Sequence, residues 1–189
     1  MISPKNNSHR RAFAIALLLT ILSALTACAP TQSSAPPHEL SISADYSGTT
    51  NKLATVTQVL KTTLKDSPIL VVQHLDHVSL ILPSYYIFIN KDRINKICKP
   101  DLQQLIQILK IYNPTSIEII GYTDNADTLQ QNLALSKSWA NTMVKYLVKH
   151  GISREQITME GRGSLRPLAD NYTSAGQLQN RRVEILIYM

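Results

Sequence analysis

The sequence contains few of the residues that bind metals or perform catalysis. It has two cysteines and five histidines in 189 residues. The histidines are scattered and show no metal-ligand spacing, and they lie at His9, His38, His74, His77 and His150. No nucleophile–base pair and no carboxylate pair stands out, so the sequence argues against an enzyme and predicts no metal or cofactor.

A long apolar run is also missing. Residues 12–25 are mostly apolar, which is shorter than the roughly 20 residues that a membrane-spanning helix needs. A basic stretch with Lys5, Arg10 and Arg11 precedes them. The run ends in Leu25-Thr26-Ala27-Cys28, which resembles the lipobox of bacterial lipoproteins. Residues 1–27 therefore read as a lipoprotein signal peptide rather than an uncleaved membrane anchor. The resemblance implies a lipid on Cys28, and Ala29 after it implies the outer membrane, with the domain in the periplasm.

The excess of positive charge is small once this leader is set aside. The whole chain has 19 basic and 13 acidic residues. The leader holds three of the basic residues and none of the acidic ones, which leaves 16 against 13, or +3. This balance gives no reason to propose a nucleic-acid partner.

If Cys28 carries a lipid, Cys98 is the one remaining cysteine of the sequence, so no internal disulfide is expected. The expected role of Cys98 is that of a small buried hydrophobic residue, with an intermolecular disulfide as the alternative.

The remainder of the chain alternates helical and strand patterns. Residues 28–50 are rich in Ser, Thr, Ala and Pro and read as a flexible tether, which leaves residues 51–189 as one domain. Apolar spacing predicts helices over residues 51–65, 100–112 and 132–149. It predicts strands over residues 69–75, 78–82, 117–121, 156–160 and around Val183, Ile185 and Ile187. We therefore expect an α/β two-layer sandwich with the helices packed on one mixed β-sheet.

Residues 117–150 organise this domain. A strand ends at Gly121, a polar loop with Asp124 and Asp127 follows, and a helix begins, which is a common place for a ligand site. At 100° per residue, the core face of that helix is predicted to carry Leu133, Ala140, Met143, Val144 and Leu147. One flank of this face carries Asn132, Ser136 and Trp139, and Leu135, Thr142 and Tyr146 lie further round.

Several motifs in this order resemble the OmpA-like C-terminal domain, which also occurs in the peptidoglycan-associated lipoprotein. They are GYTD ending at Asp124, Asn132, Leu135-Ser136, GRGSLRPLADN (161–171) and NRRVEI (180–185). The resemblance covers roughly residues 69–189. It implies binding of the stem peptide of peptidoglycan, with Asp124 and Asn132 in the site. Without a ligand role, Asp124 would be a loop or cap carboxylate.

The chain departs from this family at Trp139, where the family has an arginine that grips diaminopimelate together with the aspartate. An indole offers one neutral donor and cannot replace a guanidinium fork. A substitute cation is therefore expected from another segment. Arg181 and Arg182 are the first candidates, with Lys91 and Arg93 behind them.

Trp139 has two interpretations. It packs at the edge of the core, or it forms a partner surface with Leu135 and Tyr146 if that flank is partly exposed.

Two functions are consistent with these sequence patterns. One is a peptidoglycan-binding anchor between outer membrane and cell wall. The other is a structural subunit of an envelope machine, because the length and lipobox also resemble lipoproteins of Dot/Icm type IVB secretion systems. That resemblance implies other core-complex lipoproteins as partners.

Overall fold

The computed structural model describes residues 43–89 and 92–189. The signal peptide, Cys28, most of the predicted tether and Lys91 lie outside the described residues. The first helix, α1, spans Ser43–Thr63 and so begins inside the segment predicted as tether. The helix therefore begins before its predicted start at residue 51. The apolar positions predicted for this helix are buried, and they are Leu53, Val56, Leu60 and Leu64.

A mixed five-stranded sheet forms the second layer, as predicted. Its strands are β1 (Leu70–Gln73), β2 (His77–Pro83), β5 (Ser116–Tyr122), β6 (Ile157–Gly161) and β7 (Arg182–Tyr188). Their order is β1-β2-β7-β5-β6. β5 pairs with β6 in parallel, and the other neighbours are antiparallel. The remaining elements are α2 (Ser84–Ile87), β3 (Phe88–Ile89), β4 (Arg93–Ile94), α3 (Lys99–Tyr112), α4 (Leu129–Lys149), a 3-10 turn (Arg154–Gln156) and α5 (Ser174–Asn180).

One face of the sheet is covered by helices. Alternate strand residues are buried there, as the period of two requires, and they include Val78, Leu80, Leu82, Ile117, Ile119, Val183, Ile185 and Ile187. Helices α1, α3 and α4 supply the other half of this hydrophobic core. The two-layer α/β sandwich is therefore confirmed. Within the described residues, no helix combines the length and apolar character that crossing a membrane requires.

Helix α4 lies very close to the sheet. A Cβ atom on Gly121 would overlap the backbone carbonyl of Ser136, and one on Gly161 would overlap the backbone nitrogen of Lys137. Two adjacent strands, β5 and β6, thus need glycine where this helix crosses them. At the helix end, Gly151 has φ +96°, as expected for a left-handed cap.

The start and the buried face of α4 differ from the prediction. The helix begins at Leu129, because Thr128 and Gln131 form a reciprocal capping box. Leu133, predicted in the core, is 36% exposed, whereas Asn132 and Ser136 are buried. The reason is the loop after β6, whose Gly163 N–H donates to the Ser136 hydroxyl at 2.9 Å. This loop covers the polar flank, so the first turns bury polar side chains.

Candidate functional site

Asp124 lies just beyond the end of β5 and is almost fully buried, with 4% of its surface exposed. The loop that carries it is tied to the loop after β6, because the Thr123 N–H donates to the Gly163 carbonyl at 2.8 Å. The Thr123 hydroxyl donates to the Asp124 carbonyl at 2.9 Å. A buried carboxylate needs a charged or hydrogen-bonding partner.

Arg181 is that partner. Its Nη1 donates to Asp124 Oδ2 at 2.8 Å. Arg181 directly precedes β7, which pairs with β5 so that Tyr122 lies opposite Arg182. The two chain segments therefore meet at one end of the sheet. The Arg181 side chain is 38% exposed and that of Asp124 only 6%, so the pair presents its cationic half to solvent.

Arg182, the other arginine proposed as the replacement cation, faces away from Asp124. Its guanidinium lies 3.9 Å from the centre of the Tyr122 ring, and its Nε donates to Glu184 at 2.7 Å. Its Nη2 donates to the Arg166 carbonyl at 3.1 Å. Successive strand residues point to opposite faces, so only one of the two arginines can reach the carboxylate. Arg182 is 2% exposed and holds a loop against the sheet.

Asn132 lies in the first turn of α4, next to the loop after β5 that carries Asp124. Its Nδ2 donates to the Asp127 carbonyl at 3.0 Å, which links the helix to the loop after β5. Its Oδ1 is buried and accepts no hydrogen bond from the described residues. A buried acceptor without a hydrogen-bond donor is unusual, because most buried polar atoms are paired.

Trp139 is part of the core. It is 5% exposed, and its ring stacks on Phe88 with centroids 5.7 Å apart and planes 8° from parallel. Leu135 and Tyr146 are partly buried and pack against the same core. The condition for a partner surface on this flank, partial exposure of Trp139, is therefore not met, because β3 brings Phe88 beneath the indole. Edge-of-core packing is the interpretation that fits.

Cys98 is a buried small residue, as expected. It is fully buried, and its Sγ lies 3.2 Å from the Asn95 carbonyl. Burial raises the pKa of its thiol to about 11. Among the residues that the structure describes, no group of three or more His, Cys, Asp or Glu side chains is arranged to hold a metal ion.

The residues that hold the site together had no predicted role. Each of these residues joins a loop to a helix or to another loop, and they are Ser136, Gly163 and Asn180. Asn180 is fully buried and accepts from the Leu168 and Ala169 N–H groups. The available signals were the Thr128–Gln131 capping box and two glycines, Gly161 at the end of β6 and Gly163 just after it.

Comparison with known proteins shows what the chain is similar to. The model of the OmpA family matches residues 89–181. This segment is therefore similar to the OmpA family. The chain is 30% identical over 132 residues to the probable lipoprotein YiaD of Escherichia coli K12, covering 68% of this chain and 59% of that one. It is 37% identical over 86 residues to the peptidoglycan-binding protein ArfA of Mycobacterium tuberculosis H37Rv, covering 46% of this chain and 26% of that one.

A similar fold is also seen in a solved structure. The cell wall anchor of the type VI secretion system of Pseudomonas aeruginosa superposes with a TM-score of 0.63 at 23% identity, covering 70% of this chain and 96% of that one. This likeness concerns the fold. The chain spans about three fifths or less of the length of the two curated relatives described above.

Proposed function

We propose that this chain is a cell-envelope lipoprotein whose OmpA-like domain binds the stem peptide of peptidoglycan. The observation that carries the proposal is the Asp124–Arg181 pair at the end of the sheet. The names of two similar proteins support it. ArfA is named a peptidoglycan-binding protein, and the Pseudomonas aeruginosa structure is that of a cell wall anchor.

The chemistry suits the zwitterionic end of diaminopimelate, which the family resemblance implies. Asp124 accepts from the ammonium group, and Arg181 donates to the carboxylate. The exposed part of the Arg181 side chain gives its other N–H groups access to ligand, and a guanidinium binds a carboxylate in bidentate fashion. Arg181 thereby takes the role of the family arginine that Trp139 replaces.

Asn132 is the third residue of the proposed site. Its unpaired Oδ1 is an acceptor held in place by the Nδ2 bond to the Asp127 carbonyl. A peptide N–H or an ammonium group of the ligand would satisfy it. Arg182 is not part of this site, because its guanidinium is used on the Tyr122 ring, Glu184 and the Arg166 carbonyl.

Sedimentation with purified sacculi tests this function. Removing one partner of a charge-assisted contact costs about 1.5–3 kcal/mol, which is roughly a 10- to 100-fold loss of affinity. We expect this loss for Asp124→Ala and for Arg181→Ala in the mature chain. Lys145→Ala, which removes an exposed charge from α4, is the control and should bind normally. Equal binding by all four proteins would refute the assignment.

Anchoring to the outer membrane through a lipid on Cys28 is the second part of the proposal. It rests on the lipobox at residues 25–28 and on the relative named a probable lipoprotein. Metabolic labelling with a fatty-acid probe should mark the wild-type chain and leave Cys28→Ser unlabelled. Equal labelling of both would contradict it.

A second candidate function is that of a structural subunit in an envelope-spanning type IVB secretion core complex. The chain resembles the DotK (IcmN) lipoprotein of that system in length, lipobox and domain pattern. The burial of Trp139 favours this candidate, because a ligand-binding position of the family has become core packing. Affinity purification of the tagged chain from its own envelope should recover other lipoproteins of the complex. Recovery of sacculus fragments alone would favour a general wall anchor.

A further inference from the structure

The sheet face opposite the helices carries an apolar trough. Cross-strand register places Leu70, Ile81 and Glu184 in one row, and Val72, Ser79 and Leu186 in the next. Two adjoining depressions of about 370 Å³ each lie on this face and share Ile81 and Leu168. We call this surface the open-face trough, and its apolar lining comprises Leu70, Val72, Ile81, Leu168, Leu178 and Leu186.

Several large apolar side chains of this surface are exposed. Leu70 is 60% exposed, Leu168 is 52% exposed, and Tyr85 at the rim is 54% exposed. Scattered exposed leucines are ordinary, but apolar side chains that together line adjoining depressions mark an interaction surface. The trough contains neither Asp124 nor Arg181, so it is distinct from the proposed peptidoglycan site.

The trough is held in shape by buried polar contacts. The loop that supplies Arg166 and Leu168 is fixed from below, because Arg182 donates to the Arg166 carbonyl at 3.1 Å. The Leu168 N–H donates to Asn180 Oδ1 at 2.7 Å. Arg182 and Asn180 are each at least 98% buried. A preformed surface loses little conformational entropy on binding.

The free charge at this surface is positive. Arg162, Arg166 and Arg182 border the trough, against Glu184. Arg162 pairs with Glu160 and Arg182 with Glu184. Arg166 is exposed and forms no ion pair with any described residue, and its φ of +53° is a conformation that non-glycine residues rarely adopt. A partner that brings a carboxylate to Arg166 would complete the pairing.

We propose that the open-face trough docks a segment of another protein in which large apolar anchors are flanked by Asp or Glu. The anchors fill the two depressions and an acidic residue pairs with Arg166. A second copy of this chain fits less well, because a two-fold contact through the same face brings the two basic rims together. This inference does not depend on peptidoglycan binding.

Site-specific photocrosslinking of the full chain in its own cell envelope tests the proposal. A benzophenone amino acid replaces Leu178 in one variant and Leu70 in another. The control position is Ile111, which is 75% exposed on α3. We expect both trough positions, and not Ile111, to form an adduct with one other protein. Mass spectrometry of the adduct should place the cross-link in a segment with apolar residues next to Asp or Glu.

Charge reversal supplies the decisive comparison. Arg166→Glu should lower the adduct yield about 10-fold, as expected for loss of a charge-assisted contact. Lys145→Glu, an equal charge change on α4, should leave it unchanged. Changing the identified acidic residue of the partner to Lys should restore the adduct with Arg166→Glu, which also shows that this variant folds. An adduct between two copies, an adduct with this chain's own N-terminal segment, no adduct, or no restoration by the charge swap would overturn the proposal.

Discussion

Asp124 and Arg181 are joined by a 2.8 Å hydrogen-bonded ion pair although 57 positions separate them in the sequence. The antiparallel pairing of β5 and β7 brings them together, because Asp124 follows the end of one strand and Arg181 precedes the start of the other. The pair therefore depends on the sheet and not on α4. This explains how a charged pair can persist where the helix carries Trp139 instead of arginine.

Arg181 and Arg182 should differ in their effects on stability. Arg182 is buried and paired with Glu184, and removing one member of a buried pair costs about 3–5 kcal/mol of unfolding free energy. Arg181 is more than one third exposed but its partner Asp124 is buried, so Arg181→Ala should cost about 1–3 kcal/mol, because the carboxylate loses its partner. Urea unfolding of the two alanine variants measures both values. A larger loss for Arg181→Ala than for Arg182→Ala would contradict the assignment.

Trp139 should behave as a core residue. Trp139→Ala removes a buried ring that stacks on Phe88, and such a truncation costs about 3–5 kcal/mol of unfolding free energy. Trp139→Arg should also destabilise the domain, because it buries a charge. Leu133→Ala, at a partly exposed position of the same helix, should cost less than about 1 kcal/mol. Thermal unfolding that shows Trp139→Ala no less stable than Leu133→Ala would argue against core packing.

The close contact between α4 and the sheet predicts a contrast among glycines. Gly121→Ala should lower the unfolding free energy by about 1–3 kcal/mol, because the new methyl group meets the Ser136 backbone. Gly48→Ala is the matched control. Gly48 lies in α1 with nothing within 4 Å of the added Cβ, so the change should stabilise the domain by about 0.5–1 kcal/mol. Chemical unfolding of both variants tests this, and equal effects would contradict the packing described here.

Cys98 should resist thiol reagents in the folded domain. Burial raises the pKa of the thiol from 9.0 to about 11. At pH 8 this leaves about 100-fold less thiolate than an unshifted group has, and the side chain is also inaccessible. Because the folded-state pKa of Cys98 is raised, the folded domain favours the neutral thiol. The stability that this preference contributes is complete below about pH 9 and is lost as the pH rises towards 11. Reaction with an aromatic disulfide reagent, before and after urea addition, measures the protection. Equal rates would contradict burial.

Much of the fold could be predicted from apolar spacing. The positions Leu102, Leu105, Ile106 and Leu109 in α3 and Val183, Ile185 and Ile187 in β7 are buried as their periods predict. The errors lie where polar residues are buried. α4 was phased by hydrophobicity alone, which placed Leu133 inward, but the loop at Gly163 covers Ser136 instead. The early start of α1 at Ser43 was missed because its first turns carry small and polar residues.

The candidate site was predictable in part. Sequence motifs singled out Asp124, Asn132 and the arginine pair, but could not decide which arginine faces the carboxylate. A strand displaced by one residue turns every side chain to the opposite face, so the choice depends on where β7 begins. The sequence also could not decide between core packing and an exposed surface for Trp139, because its burial depends on Phe88, 51 positions earlier, reaching beneath the indole.

In the proposed site, Arg181 replaces the family arginine in recognising the carboxylate of diaminopimelate. The most direct test is calorimetric titration of the mature chain with two soluble stem peptides, one with diaminopimelate and one with lysine at the same position. Lysine keeps the ammonium group for Asp124 and lacks the carboxylate. We predict that the wild-type chain prefers the diaminopimelate peptide by about 10-fold or more, and that Arg181→Ala abolishes this preference. Equal affinity of the wild-type chain for both peptides, or an undiminished preference in Arg181→Ala, would contradict the account.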